Sequence, residues 1–553
     1  MKKLLTNRLF QILVLAAFLR LLMLDKIPAA LNWDEVSQGY TAYSISQTGR
    51  DEWGQFMPIF FRSYGEWKSA VYIYLLVPMV KFFGLNAWSV RIPSALAGII
   101  AVWLVYKIAE MTYSKRVGLW AAFLMAVTPW TFFLSRPAYE ANVALTLMLA
   151  GVYFLLRSMA PITPGVKSAH TPGVSVRSIL LAALAFGLAP HTYNSAKAVV
   201  PILVVVLVVL TRLYKDKKKM IVLFGVLALF AAPILLDFKA QARFSQVGIT
   251  TDTKTLNEFI DNRKSFPISG IGGKLLFNKA TFFASQFVYN YAGYFNPALL
   301  SIEAGDQYQQ HLRFHGVLYV TEFFAALYGL YLLCSNKMKR SSLLESRVSL
   351  LPIALIAIGI IPAAVTRDTF HILRALLAAP GWIFLAALGF ASLKPKHLKI
   401  VNWILIIEIL VYMTMYFLWY PVAYARDWQY GYQQVAKYLA AHSGEYNQVV
   451  MTKWYGEPQL FLAFYNAWDP ATYQKENIKN LGYESEGRPW LDQLPEYGIG
   501  KYSFKYIDWA KEPRDPHTLY IGKADDFYPD SDIVDTVRYP DGSIAFLLVK
   551  GDK

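Results

Sequence analysis

Long apolar runs recur through most of the chain, and they constrain its fold more than any other feature. A helix of about 17–25 mostly apolar residues is long enough to cross the hydrocarbon layer of a membrane, with tilt absorbing differences in length. We therefore predict a mainly α, polytopic membrane protein with about eleven transmembrane helices, near residues 9–24, 90–111, 117–134, 139–156, 178–193, 198–213, 220–236, 316–334, 349–365, 372–393 and 400–420.

The composition agrees with a membrane protein. Hydrophobic residues make up 55% of the chain and charged residues only 17%, whereas a soluble chain carries about 25% charge. A net charge of +16 could suggest nucleic acid, but most of the excess lies in short loops between apolar runs, so we predict no nucleic-acid partner. The single cysteine, Cys334, rules out a disulfide within one chain and a cysteine-ligated zinc site.

The loops alternate in charge, which predicts the topology. Cytoplasmic loops carry an excess of Lys and Arg. With the N-terminus inside, basic residues collect in every predicted cytoplasmic segment, and Asp216 and Glu345 are the only acids there. The run at 9–24 follows Lys2 and Lys3 and resembles a signal peptide, but we interpret it as an uncleaved first helix because many spans follow.

The outer side then receives two long loops, 25–89 and 237–315, and the C-terminal stretch 421–553. We expect Lys68–Phe83 and Gly273–Tyr294 to be amphipathic helices in the interface. The C-terminal stretch reads as a small α/β extracytoplasmic domain with helices and strands near Trp428–His442, Gln448–Thr452, Pro458–Tyr465 and Thr518–Ile521, and a hairpin over Ile533–Val549. The domain prediction is a transmembrane catalytic domain at 1–420 followed by this domain at 421–553.

Two adjacent carboxylates, Asp34 and Glu35, follow Trp33 just after the first apolar run. Trp favours the membrane–water interface, so both carboxylates are expected at the bilayer surface. Carboxylates beside lipid are costly unless they are paired or hydrated, which makes them candidate functional residues. The alternative is that they end the span as solvated charges.

Other polar residues are predicted at the same outer depth. Carboxylates there could act as general bases or bind a metal, and Lys or Arg could hold a phosphate. For single basic residues the alternative is snorkelling to lipid headgroups, and for the histidines it is an interfacial hydrogen bond. Arg374 is the exception, because it is predicted a few residues inside the tenth span. The set comprises Glu66, Lys68, Arg136, Glu140, His191, Lys197, His371 and Arg374.

These elements together resemble the GT-C-fold integral-membrane glycosyltransferases, and most closely the bacterial branch with the protein O-mannosyltransferases and the lipid A aminoarabinose transferase. The resemblance covers roughly residues 9–420. It depends on Trp33-Asp34-Glu35, Gly65-Glu66-Trp67-Lys68, Arg91-Ile92-Pro93-Ser94-Ala95, Ser135-Arg136 through Glu140, and His371 through Pro380. The chain departs from the aminoarabinose-transferase pattern where Trp67 separates Glu66 from Lys68.

The resemblance implies an inverting hexosyl- or pentosyltransferase that moves a sugar from a polyprenyl-phosphate donor to a hydroxyl of a lipid, glycan or protein. Asp34 would be the catalytic base and Glu140 a second catalytic acid. Glu35, Glu66, Lys68, Arg136, His191, Lys197, His371 and Arg374 would bind substrate. The donor is a substrate, so no cofactor is expected. Whether the reaction needs a divalent metal is left open, and the favoured alternative is that it needs none. The alternatives are a flippase for a lipid-linked sugar, which would place its polar groups near the midplane, and a non-catalytic scaffold for envelope assembly.

The charge alternation generates a topology prediction. With the N-terminus inside and the C-terminal domain outside a cytoplasmic membrane, a reporter that is active only outside the cell should give a signal when it is fused after Lys553. The matched control places the same reporter in the 212–219 loop, where it should be silent. A silent reporter at Lys553 together with a signal at 212–219 would invert the topology.

Overall fold

The structure is a computed structural model that describes residues 7–63, 67–159, 172–237, 247–265, 271–335, 347–367, 370–442, 444–479 and 494–551. The chain divides into two compact units. Unit 1 comprises Met1–Arg20, Ser94–Ser135 and Tyr139–Tyr412. Unit 2 comprises Leu21–Pro93, Arg136–Ala138 and Met413–Lys553. The division into domains at residue 420 stays a prediction.

The described α-helices, in chain order, are α1 (Arg8–Leu21), α2 (Trp33–Thr48), α3 (Ala70–Phe83), α4 (Ala87–Thr112), α5 (Lys115–Val127), α6 (Pro129–Phe133), α7 (Glu140–Met159), α8 (Pro172–Leu188), α9 (Asn194–Leu210), α10 (Lys217–Leu236), α11 (Thr253–Asp261), α12 (Ile271–Leu276), α13 (Lys279–Gly293), α14 (Pro297–Ser301), α15 (Val320–Cys334), α16 (Leu351–Gly359), α17 (Ile361–Ala364), α18 (Ala379–Ser392), α19 (Pro395–Thr414), α20 (Tyr420–Ala423), α21 (Tyr432–Ala441), α22 (Pro458–Tyr465) and α23 (Pro470–Lys479). The strands are β1 (Phe60–Arg62), β2 (Trp67–Ser69), β3 (Gln448–Thr452), β4 (Glu496–Ile499), β5 (Tyr502–Lys505), β6 (Thr518–Gly522), β7 (Ile533–Arg538) and β8 (Ile544–Lys550).

The mainly helical, multi-pass character predicted from the apolar runs is confirmed. Each of the eleven predicted spans contains at least one described helix. By length and composition, five helical stretches among the described residues can cross a membrane, at Ala87–Thr112, Glu140–Met159, Lys217–Leu236, Arg347–Ala364 and Pro395–Ala423. Only 6% of the apolar window of α10 is buried, which fits a helix whose surroundings are lipid. The number of spans, eleven, stays a prediction.

Arg20, a charged residue in the first predicted span, connects two helices of unit 1. Its guanidinium is fully buried and donates to the carbonyls of Ala126 and Met125, each at 3.0 Å. The last carbonyls of a helix have no partner within that helix, so Arg20 satisfies groups at the end of α5. This arrangement turns a costly buried charge into a link between α1 and α5.

The tightest helix contact in unit 1 joins α15 and α18 through glycine. A Cβ added to Gly329 would lie 1.9 Å from the carbonyl oxygen of Leu385, and one added to Gly389 would lie 2.0 Å from that of Ala325. Small residues let helix backbones approach closely in membranes, where packing drives association. These two glycines therefore set the distance between the helices.

A mixed sheet forms the centre of the C-terminal part of unit 2. Its six strands lie in the order β4-β5-β3-β6-β8-β7. β3 pairs in parallel with β5 and β6, and the other pairs are antiparallel. β3 and the β7–β8 hairpin lie where the sequence predicted them, and Gly542 takes a positive φ of 86° in the hairpin turn, which its lack of a Cβ permits.

Two predictions about helices were wrong in detail. Gly273–Tyr294 is not one helix, because Asn278 caps a new one and its Oδ1 accepts the N–H groups of Ala280 and Thr281. The tenth span does not begin at Ile372. Residues 372–375 form turns, a 3₁₀ turn follows at Leu376–Ala378, and α18 starts at Ala379. Arg374 therefore precedes the helix instead of lying inside it.

The glycine contact generates a stability prediction. Replacing Gly with Ala inside a helix normally gains up to about 1 kcal/mol of helix propensity. At Gly389 the added methyl group meets backbone, so we expect Gly389→Ala to lower the free energy of unfolding by about 1–3 kcal/mol, the usual cost of overpacking. The measurement is thermal unfolding of the purified protein.

Gly225→Ala is the matched control, because a Cβ at Gly225 of α10 has no neighbour within 4 Å. This variant should unfold at or above the wild-type temperature. Equal melting temperatures for the two variants would contradict the close contact between α15 and α18.

Candidate active site in the first outer loop

The acidic pair Asp34 and Glu35 lies at the start of helix α2, a helix that was not predicted from the sequence. Asn32 is the N-cap, and its Oδ1 accepts the Glu35 N–H at 2.9 Å. The Asn32 N–H donates to Glu35 Oε2 at 3.2 Å, which completes a capping box. The Asn-x-x-Glu spacing was the available signal. Because of this start, Asp34 and Glu35 lie in the first helical turn.

Glu35 is buried and its carboxylate is held by protein groups on both oxygens. Arg91 Nε donates to Oε1 at 2.8 Å and Arg91 Nη2 to Oε2 at 3.0 Å, a bidentate pair. The backbone N–H of Ala138 adds a bond to Oε1 at 2.9 Å. With only 1% of Glu35 exposed, the contacts of this carboxylate are structural. Its predicted contact with substrate stays a prediction.

Arg91 uses all five of its donors on the chain around the first loop. Besides Glu35, Nη1 donates to the carbonyls of Leu24 and Pro28 at 3.1 and 3.0 Å, and Nη2 donates to that of Ala30 at 2.5 Å. A buried guanidinium is stable only when its charge is paired and its donors are satisfied. Arg91 therefore joins α4 to the segment that leads into α2.

Arg136, a predicted phosphate ligand, holds the same segment from another side. Its Nη2 donates to the carbonyls of Leu22 and Ile27 at 2.7 and 3.2 Å, and its Nε donates to the Tyr416 hydroxyl at 2.9 Å. The guanidinium also lies 5.2 Å from the centroid of the Phe417 ring. Arg136 is fully buried, so the described contacts of this residue are structural as well.

Asp34, by contrast, keeps its carboxylate open to solvent. Its side chain is 47% exposed, and Oδ1 lies 3.2 Å from Lys68 Nζ. Lys68 is the middle residue of β2, opposite Phe61 of β1, and its side chain is 13% exposed. The hairpin thus fixes the ammonium group beside the start of α2. The structure brings together Asp34 and Lys68 of the predicted site, and Glu66 lies outside the described residues.

A second acidic pair, Asp51 and Glu52, lies in the same loop and was not among the predicted site residues, although it repeats the Asp-Glu dipeptide of Asp34 and Glu35. Both are buried, at 0% and 2% exposure. Burial and the neighbouring Asp51 charge raise the pKa of Glu52 to about 8, while a hydrogen bond from Thr41 and the charge of Lys68 act in the opposite direction. Glu52 is therefore mostly neutral at pH 7.

The remaining predicted residues lie in unit 1. Glu140 is the first residue of α7. His191 contacts the Phe230 carbonyl through Nε2 at 2.8 Å, and Lys197 donates to Asn194 Oδ1 at 2.7 Å. Arg374 donates to Thr366 Oγ1 at 2.9 Å from the turn before α18, and the His371 carbonyl accepts the Arg374 N–H. Among the described residues no cluster of three His, Cys, Asp or Glu side chains could hold a metal ion.

The buried pair generates a stability prediction. Removing one partner of a buried ion pair leaves an uncompensated charge, which costs about 3–5 kcal/mol. Arg91→Met should therefore lower the free energy of unfolding of the purified protein by that amount. The control is Lys264→Met, which breaks the exposed pair with Asp261 and should cost under about 1 kcal/mol. Equal losses would refute the assigned role of Arg91.

Comparison with known proteins agrees with this fold. The model of the dolichyl-phosphate-mannose-protein mannosyltransferase family matches residues 68–236. Over 92 residues the chain is 33% identical to the putative mannosyltransferase YycA of Bacillus subtilis (strain 168), and over 77 residues it is 31% identical to the putative mannosyltransferase YkcB of the same organism. These matches cover 17% and 14% of this chain, and 13% and 11% of the two relatives, so the chain spans only a small part of their length.

A solved structure extends the similarity to the whole fold. ArnT from Cupriavidus metallidurans bound to undecaprenyl phosphate gives a TM-score of 0.56 at 12% identity, over 98% of this chain and 97% of that chain. Its apo form gives 0.52 at 11% identity, over 96% of both chains. At an identity this low, the similarity is evidence for a shared fold and not for a shared function. Together with the matched family segment, it confirms the resemblance to the GT-C-fold integral-membrane glycosyltransferases that the sequence predicted.

Proposed function

We propose that this protein is an inverting glycosyltransferase that moves a sugar from a polyprenyl-phosphate donor to a hydroxyl acceptor on the outer face of the cytoplasmic membrane. The observation that carries the proposal is the half-exposed Asp34 carboxylate, 3.2 Å from Lys68, on a helix start that Glu35 and Arg91 immobilise. A base and a cation held side by side suit a reaction in which a hydroxyl loses a proton and a phosphate leaves.

Asp34 is the proposed general base. A hydroxyl is a weak nucleophile at neutral pH and needs a positioned proton acceptor. The acceptor oxygen forms a bond to the anomeric carbon on the face opposite the phosphate, and its proton passes to Asp34. The bond between the anomeric carbon and the phosphate oxygen breaks with its electron pair, which releases polyprenyl phosphate and inverts the anomeric configuration.

Lys68 is the proposed link between base and donor. Without donor its ammonium pairs with Asp34. A donor phosphate competes for this ammonium, and the competition frees Asp34 to accept a proton. The growing negative charge on the leaving phosphate would be stabilised by Lys68. Lys197 and Arg374 stay predicted substrate-binding residues. Arg136 and Glu35 act on this site by positioning the loop, as their buried contacts favour.

The finer assignments belong to the same proposal. Glu140 is the second acid, His191, His371 and Glu66 contact substrate, and no metal or other cofactor takes part. The acceptor is a lipid, a glycan or a protein, and the sugar is a hexose or a pentose. The matched mannosyltransferase family favours mannose as the transferred sugar.

Replacing the proposed base, Asp34, tests the proposed function. Asp34→Asn keeps size and hydrogen-bonding reach but removes basicity, so turnover should fall at least about 10²-fold, the lower end of what a general base contributes. Binding of undecaprenyl phosphate should persist, because cations hold it. The measurements are sugar transfer from undecaprenyl-phosphate mannose and, separately, affinity for undecaprenyl phosphate, both with purified protein.

Asp261→Asn is the matched control, since Asp261 is also exposed and paired with a lysine, and it should transfer sugar at the wild-type rate. Glu140→Gln decides between the two acids. Wild-type turnover in Asp34→Asn with a dead Glu140→Gln would move the base to Glu140. Sugar movement across proteoliposomes without any transfer product would replace the transferase with a flippase.

A further inference from the structure

A cavity of about 540 Å³ in unit 1 has no part in the proposed reaction. It lies between the N-terminal parts of α1, α5 and α19, on the side of the membrane that the basic loops predict to be cytoplasmic. Its lining residues are Arg8, Ile12, Arg116, Leu119, Trp120, Phe123, Leu398, Asn402, Leu405 and Ile406.

Two cations and no carboxylate line this cavity. Arg8 is the first residue of α1 and Arg116 the second residue of α5. Both are exposed, and neither forms an ion pair with a carboxylate of the described residues. A cation at a helix N-terminus is disfavoured by the helix dipole. A bound anion would offset both unfavourable placements at once.

The wall beneath these cations is apolar and follows the helices away from the charged end. Ile12 lies one turn after Arg8, and Trp120 and Phe123 lie one and two turns after Arg116. Trp120 is fixed by stacking on Phe390, with ring centroids 4.7 Å apart. Asn402 adds one amide whose Oδ1 has no hydrogen-bond partner among the described residues.

We propose that this cavity binds one anionic glycerophospholipid. The phosphate pairs with Arg8 and Arg116, and an acyl chain lies along Ile12, Leu119, Phe123 and Leu405. A free phosphate could use the cations but not the apolar wall, where each buried methylene of a chain adds to the affinity. Basic pockets between spanning helices on the cytoplasmic side are suited to anionic headgroups. Asp34 is not among the lining residues, and the inference does not depend on the proposed function.

The experiment titrates the purified full chain in detergent with phosphatidylglycerol and counts bound lipids by native mass spectrometry. The wild type should bind one phosphatidylglycerol in preference to phosphatidylcholine with the same chains. Arg8→Gln with Arg116→Gln removes two charged hydrogen bonds and should weaken this binding by about tenfold or more. Leu119→Trp, which fills the apolar wall, should weaken it with both charges in place.

The matched control is Arg177→Gln with Arg347→Gln, which removes two exposed arginines from the same side of the membrane without touching the cavity. It should bind phosphatidylglycerol as the wild type does. Equal weakening in both double variants, or equal affinity of the wild type for the two lipids, would overturn the proposal. So would displacement of the lipid by millimolar inorganic phosphate, which would make the site one for a free anion.

Discussion

The buried pair of Glu35 and Arg91 is the interaction on which the candidate site depends. Glu35 closes the capping box that starts α2, and Arg91 ties the preceding segment to α4 through three carbonyls. A single interaction thus determines where α2 begins and in which direction its first turn points. Buried ion pairs add little net stability compared with apolar packing. The value of this pair lies in the fixed position that it gives to Asp34.

Two neighbouring carboxylates have opposite environments because of helix geometry. Successive residues of an α-helix point about 100° apart, so Asp34 and Glu35 cannot face the same surroundings once α2 begins at Trp33. Glu35 turns inward to Arg91 and is 1% exposed, whereas the Asp34 side chain is 47% exposed. The exposed carboxylate is the one free to exchange its partner. The geometry therefore separates a positioning acid from a candidate catalytic acid within one dipeptide.

Sequence patterns predicted the parts of this fold that follow from local periodicity. Apolar length located stretches that each contain at least one helix, and alternation with a Pro-Asp-Gly turn located the β7–β8 hairpin. The pairing of Glu35 with Arg91 joins residues 56 positions apart, and no local pattern encodes such a contact. The broken helix at Asn278 and the late start of α18 depend on capping and turn contacts that hydropathy does not register. Asp51 and Glu52 were overlooked because their burial depends on tertiary packing.

The second acidic pair changes the electrostatics of the first. Lys68 is close enough to Glu52 for its charge to favour the ionised form of that acid, yet burial keeps the pKa of Glu52 at about 8. Below that pH Glu52 is mostly neutral, and the ammonium of Lys68 has Asp34 as its anionic partner. Above it, a second negative charge competes for Lys68 and would weaken its hold on a phosphate. The burial of Glu52 thus limits its competition for the Lys68 charge at neutral pH.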